Sequence, residues 1–241
     1  MSACKSMEHP RLTSMTPHVL EIVGVLSVGT AVVFTGGVVW GGPVAMIISV
    51  WVANLAMMAL IYWGLNARGQ SWSHFGLSFR LGSSRSIGIA VLQSMAVFVF
   101  GVMAFAAGAI LMANLVGMPE PADMSKYDYL RGNLVLTLLA LASVYLVSSF
   151  AEEVIYRGYL ITRLRELTDR GWLSNVIAVV SSSLVFGLVH SDWGIAGMVQ
   201  ASCMGVALWI SYLAVKRNLW VVILAHAYMD TILILQMYGT P

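Results

Sequence analysis

Charge is scarce in this chain. Asp, Glu, Lys and Arg together make up 10% of its 241 residues, against roughly 25% in soluble domains. No polar stretch is long enough to fold as a soluble domain beside the apolar ones, so any chemistry must take place within or at the edge of a membrane. The net charge of +2 says nothing about nucleic acid, which is not expected as a partner; what matters is where the charges lie. Cysteine is almost absent. Cys4 and Cys203 stand too far apart and too alone for a disulfide framework or a thiolate metal site. Residues 1–17 show no repeat or low-complexity bias, and no inverted repeat is evident in the chain.

What the chain has instead is apolar length. Hydrophobic residues account for 59%, gathered in runs near the ~20 residues a membrane span needs. They fall at about 19–39, 44–65, 87–116, 134–167, 173–190, 194–215 and 220–237. The expected fold is all-α, a polytopic transmembrane helical bundle of about seven spans. The first run lacks a small-residue cleavage site, so it reads as a retained anchor. The 66–86 connection carries Arg68, Arg80 and Arg85 among Trp72, Phe75 and His74. It is expected to lie as an amphipathic segment among the headgroups. Asn54 and Gln200 read as interhelical hydrogen-bonding groups.

The basic residues give the orientation. The N-terminus (Lys5, Arg11), the 66–86 connection, the turn after 163 (Arg163, Arg165, Arg170) and Lys216-Arg217 carry most of the Lys and Arg. The 40–43 turn, the acidic 117–133 loop with Glu120, the 190–193 turn and the C-terminus do not. The two groups alternate as seven spans require, and the positive-inside rule puts the N-terminus in the cytoplasm. Residues 1–133 then supply three spans with an interfacial connection and a polar loop, and 134–241 supply four.

The fourth run is interrupted by Ala151-Glu152-Glu153-Val154-Ile155-Tyr156-Arg157. A carboxylate at membrane depth costs at least ~2.5 kcal/mol and is usually functional; two side by side need a reason. Glu153 and Arg157 are i,i+4 neighbours that neutralise each other. Glu152 points about 100° away on the helical wheel, so one carboxylate is held and the other is left available. Two later runs add Phe186-Gly187-Leu188-Val189-His190 and His226-Ala227-Tyr228-Met229-Asp230, the last pair one helical turn apart. Imidazole and carboxylate together can hold a zinc ion with an open position. They can equally activate water without metal, a carboxylate acting as base and imidazole stabilising the oxyanion. Such groups also line ion paths in cation-coupled transporters, and a catalytically silent protein that sequesters a membrane partner is a further alternative.

Glu152-Glu153-x-x-x-Arg157, Phe186-x-x-x-His190 and His226-x-x-x-Asp230, in this order on successive apolar runs, resemble the three motifs of the CPBP family. These are the CAAX-protease and bacteriocin-processing (Abi) intramembrane endopeptidases. The resemblance covers about 134–237 and implies hydrolysis of a peptide bond in a membrane-associated peptide or protein, with a bacterial plasma membrane as the expected location. It implies Glu152 as the water-activating base assisted by His190, His226 and position 230 as oxyanion support, and Glu153 with Arg157 as a supporting pair. Family members are described both as metal-independent glutamate proteases and as metalloproteases. No cofactor is therefore required, or a zinc ion is held by Glu152, His190, His226 and Asp230. The family often has Asn at position 230. An ionised Asp cannot donate to an oxyanion, so Asp230 must be protonated, orient His226 or ligate a metal.

Helical counting leaves a tension. Glu152 lies ~27 Å from the outer start of its run and His190 ~24 Å from the inner start of its own, which puts them near opposite faces. A single site requires the fourth run to begin outside the bilayer, or to break near Ser148-Ser149 or Gly158, or the fifth to begin deep. The site is expected in a cavity open to the cytoplasm or sideways to lipid.

Overall fold

The structure, a computed structural model, describes residues 10–78, 82–118, 123–167 and 171–239. Cys4, Lys5, Arg80, Glu120 and Arg170 lie outside the described residues. Those described are helical or in short connections, with no strand among them. The helices are α1 (Pro10–Val39), α2 (Gly42–Ala67), α3 (Ser84–Val116), α4 (Leu134–Val144), α5 (Ile161–Glu166), α6 (Trp172–Leu188), α7 (Gly194–Ala214) and α8 (Leu219–Gly239). Six helical stretches are long and apolar enough to cross a membrane, and α6, at 17 residues, is a shorter apolar helix. This is an all-helical integral membrane protein, with α6 completing the seven apolar helices expected.

The fourth run does not break. From α4 to α5 it is one helix, Leu134–Glu166, whose central stretch Tyr145–Leu160 is π-helical. The expected interruption is a change of hydrogen-bond register, i→i+5 in place of i→i+4, which also shortens the helix relative to an α-helical count. Asn133 caps its start by accepting from the Leu136 amide at 3.1 Å.

The two sets of connections gather at opposite ends, as their alternation in sequence requires. At the basic end Glu21 pairs with Arg68 at 2.5 Å, and Arg163 lies 2.8 Å from Glu166 and 3.5 Å from Glu21. His74 Nε2 is 2.8 Å from Glu166, and Arg217 donates to the His74 carbonyl at 2.9 Å. At the other end Lys126 pairs with Asp192, and the Gly132 amide donates to the Tyr238 carbonyl at 3.1 Å.

The 66–86 connection departs from expectation. It is no amphipathic segment laid among headgroups but a one-turn 3-10 helix, Trp72–Phe75, plugged into the bundle. Phe75 and Leu77 are buried, and Phe75 stands edge-on to Tyr159 at 5.8 Å. The physical reason is a fitted floor. Gly158 offers no Cβ where one would lie 3.1 Å from that of Phe75. Gly76, at φ +79°, turns the chain so closely beneath Arg217 that a Cβ would meet its carbonyl oxygen. The Leu219 amide then donates to the Gly76 carbonyl at 3.1 Å, fixing the start of α8.

Candidate active site

Three stretches of the chain bring the seven singled-out side chains towards one another. The π-helix presents Glu152, Glu153 and Arg157, the end of α6 presents Phe186 and His190, and α8 presents His226 and Asp230. Glu153 and Arg157 are almost wholly buried and lie 3.0 Å apart, the pairing their spacing predicts. Glu153 Oε1 is also 2.8 Å from His226 Nδ1. A carboxylate oxygen only accepts, so that nitrogen carries the proton, and Nε2 is turned towards Asp230, 3.8 Å from Oδ1. Asp230 is fixed from its other side by Ser149, whose hydroxyl donates to Oδ2 at 2.7 Å. Ordered charge thus runs from Arg157 through Glu153 and His226 to Asp230, with Ser149 closing it.

Phe186 is the hub of this arrangement. Its ring is fully buried. The Arg157 guanidinium lies over it at 4.0 Å, and the rings of His190, Tyr156 and His226 surround it at 4.7, 5.5 and 6.2 Å. A flat apolar face serves here because it satisfies the guanidinium by cation–π attraction without offering a competing acceptor. His190 Nδ1 lies 2.7 Å from the Phe186 carbonyl oxygen, which can only accept. Nδ1 is therefore the protonated nitrogen and Nε2 keeps its lone pair.

Glu152 differs from its neighbour as the helical wheel suggests. Its Oε2 is buried without a hydrogen-bond partner, and it lines a cavity of about 1570 Å³ together with His190, His226 and Asp230. Helical counting put Glu152 and His190 near opposite faces, yet both line this one cavity. Its position bears on the expectation of a cavity open to the cytoplasm or sideways to lipid. The lining includes Phe34 and Val38 of α1, Lys126 and Tyr127 of the 117–133 loop, and Asp192. The mouth is thus at the end away from the basic connections, not at the end those residues mark as cytoplasmic. The reason is packing: the basic end is filled by Phe75, Tyr159 and the Arg163 ion pairs, whereas at the other end Phe34 and Val38 of α1 stand exposed along the cavity.

The four candidate metal ligands do not form a donor set. Among the described residues no three His, Cys, Asp or Glu side chains are grouped to hold one ion. His226 Nδ1 is committed to Glu153 and His190 Nδ1 to a carbonyl, which leaves the Glu152 and Asp230 carboxylates and the two Nε2 atoms among the residues lining the cavity.

Residues 134–232 match the family model of the Rce1-like type II CAAX prenyl endopeptidases. Over that stretch the chain is similar to the CAAX-protease family. All seven side chains above lie within it. No curated protein and no solved structure matches the chain.

Two contacts around the CAAX-protease segment add residues that sequence reading did not place in the site. Ser149 stood out only as a candidate break, and no spacing rule ties it to Asp230, 81 positions away. Asn54 of α2, expected to bond between helices, does so at an informative place. Its amide donates to the Val147 carbonyl at 3.2 Å, the carbonyl that in π register faces the amide of Glu152.

Proposed function

We propose that the protein is an intramembrane endopeptidase in which Glu152 activates a water molecule, with residues 134–241 as the catalytic unit and 1–133 as its supporting wall. The observation that carries this reading is the unpartnered Glu152 oxygen on a cavity, which is also lined by His190, an imidazole whose free nitrogen can only accept. A water held between two acceptors directs its own lone pair at a substrate carbonyl carbon. As the C–O bond forms, Glu152 takes the water proton and the carbonyl becomes an oxyanion. The His226 imidazole, oriented between Glu153 and Asp230, supports that charge. Collapse of the tetrahedral species breaks the C–N bond, and the proton on Glu152 passes to the leaving amine.

Asp230 acts in this scheme as an orienting group for His226, fixed by Ser149, not as an oxyanion donor. The ungrouped donors favour the metal-independent route, and no step is routed through an ion. Substrate is a membrane-associated peptide, and a bacterial plasma membrane with the N-terminus in the cytoplasm is the setting.

Product mass spectrometry on a membrane-peptide library tests this, comparing wild type with Glu152→Gln in the presence and absence of a chelator. Discrete products from wild type that vanish with Glu152→Gln and persist after complete metal removal are expected. Equal cleavage by both proteins overturns the assignment, and loss of cleavage with the metal overturns the metal-independent route.

A further inference from the structure

Resting on the protease reading, we infer that substrate reaches the site from the non-cytoplasmic face, so that the substrate class is a peptide segment displayed at that surface and not a tail presented in the cytosol. The chain has thirteen Lys and Arg. Arg157 lies in the site, only Lys126 and Arg131 belong to a connection at the mouth end, and the other ten belong to the N-terminal segment and the opposite connections. The rule that fixes membrane orientation counts such residues in short loops, and ten against two is a strong bias towards a cytoplasmic basic end.

Among the described residues the basic end is also tightly packed. Arg163 is fully buried, and its partners Glu21 and Glu166 are nearly so. Phe75 fills the space beneath, so a peptide entering there would have to break buried ion pairs. The other end offers an opening. Phe34 and Val38 are exposed on one side of it and Asp192 on the other. The Lys126–Asp192 pair ties the Ser125–Leu130 turn to Ser191–Trp193, directly after His190.

The cavity, about 1570 Å³, exceeds the roughly 300–1,000 Å³ typical of small-molecule pockets and suits several residues of an extended chain. Its α1 wall repeats Leu26, Thr30, Val33 and Val38, an apolar stripe for apolar side chains. The Asp192 carboxylate and the Lys126 ammonium leave polar partners for a peptide backbone at the rim.

Sidedness is measured independently of cleavage. In a Cys4→Ser, Cys203→Ala background, Ser191→Cys at the mouth and Asn218→Cys at the basic end are each labelled with a membrane-impermeant maleimide in right-side-out and inverted vesicles. Ser191→Cys is expected to label at least tenfold faster in right-side-out vesicles, and Asn218→Cys in inverted ones. A charged, quenched-fluorescence peptide library added outside sealed right-side-out vesicles is then expected to be cleaved by wild type and not by Glu152→Gln. Ser191→Cys labelling preferentially in inverted vesicles overturns the inference and leaves the protease reading intact. Labelling as expected with cleavage unaffected by Glu152→Gln overturns the protease reading and leaves the sidedness standing.

Discussion

At the scale of single residues the site depends on which polar atoms are already committed. Ser149 illustrates the cost of undoing one commitment. Its hydroxyl is fully buried and donates to Asp230, and a hydrogen bond to a charged group contributes about 1.5–3 kcal/mol. Ser149→Ala is expected to lower kcat by roughly one to two orders of magnitude with KM little changed, and Ser149→Thr to restore part of the loss. Steady-state kinetics on a cleaved peptide checks this. An equal loss in both variants, accompanied by a lower melting temperature, would mark Ser149 as packing only. The residue types in the three motifs were readable because buried charge is costly in lipid and therefore informative. Ser149 was not, because a serine in a membrane helix ordinarily bonds its own backbone, and only the fold brings α8 to it.

At the scale of elements the π-helix sets where Glu152 sits. Hydropathy could not reveal it, since the 134–150 stretch carries no charge and offers no stripe whose period distinguishes i→i+5 from i→i+4. Asn54 supports that register from α2 by holding the Val147 carbonyl. Asn54→Leu removes the donor while keeping the volume. It is expected to reduce kcat about tenfold or more, as a misplaced base does, with the melting temperature falling by only a few degrees. Kinetics and thermal unfolding in one detergent check both. The plug at the basic end makes a different demand. Gly76→Ala places a Cβ against the Arg217 carbonyl at a φ of +79°. The backbone conformation alone costs about 1–2 kcal/mol, so a large drop in melting temperature or failure to accumulate in the membrane is expected. Here the sequence misled: aromatic and polar residues at 72–79 fit a headgroup segment as well as a plug, and only Gly158 and Tyr159 decide between them.

At the scale of the whole molecule the alternation of basic and non-basic connections was legible, because charge placement is a property of the chain before it folds. The side on which the cavity opens was not, because it depends on how α1 and α2 lean against the core. The division of labour between adjacent carboxylates is what the account rests on: Glu153 holds Arg157 and His226 in place, and Glu152 is left free to act. The two Gln substitutions separate these roles. Glu153→Gln leaves buried cations uncompensated, which costs about 3–5 kcal/mol, and should unfold at markedly lower temperature. The most direct measurement is kcat/KM for Glu152→Gln alongside its melting temperature. A rate loss of about 10²–10⁴-fold, the contribution of a general base, with a melting temperature equal to or above wild type, is the predicted result. Retained cleavage, or a collapse in stability like that of Glu153→Gln, would contradict it.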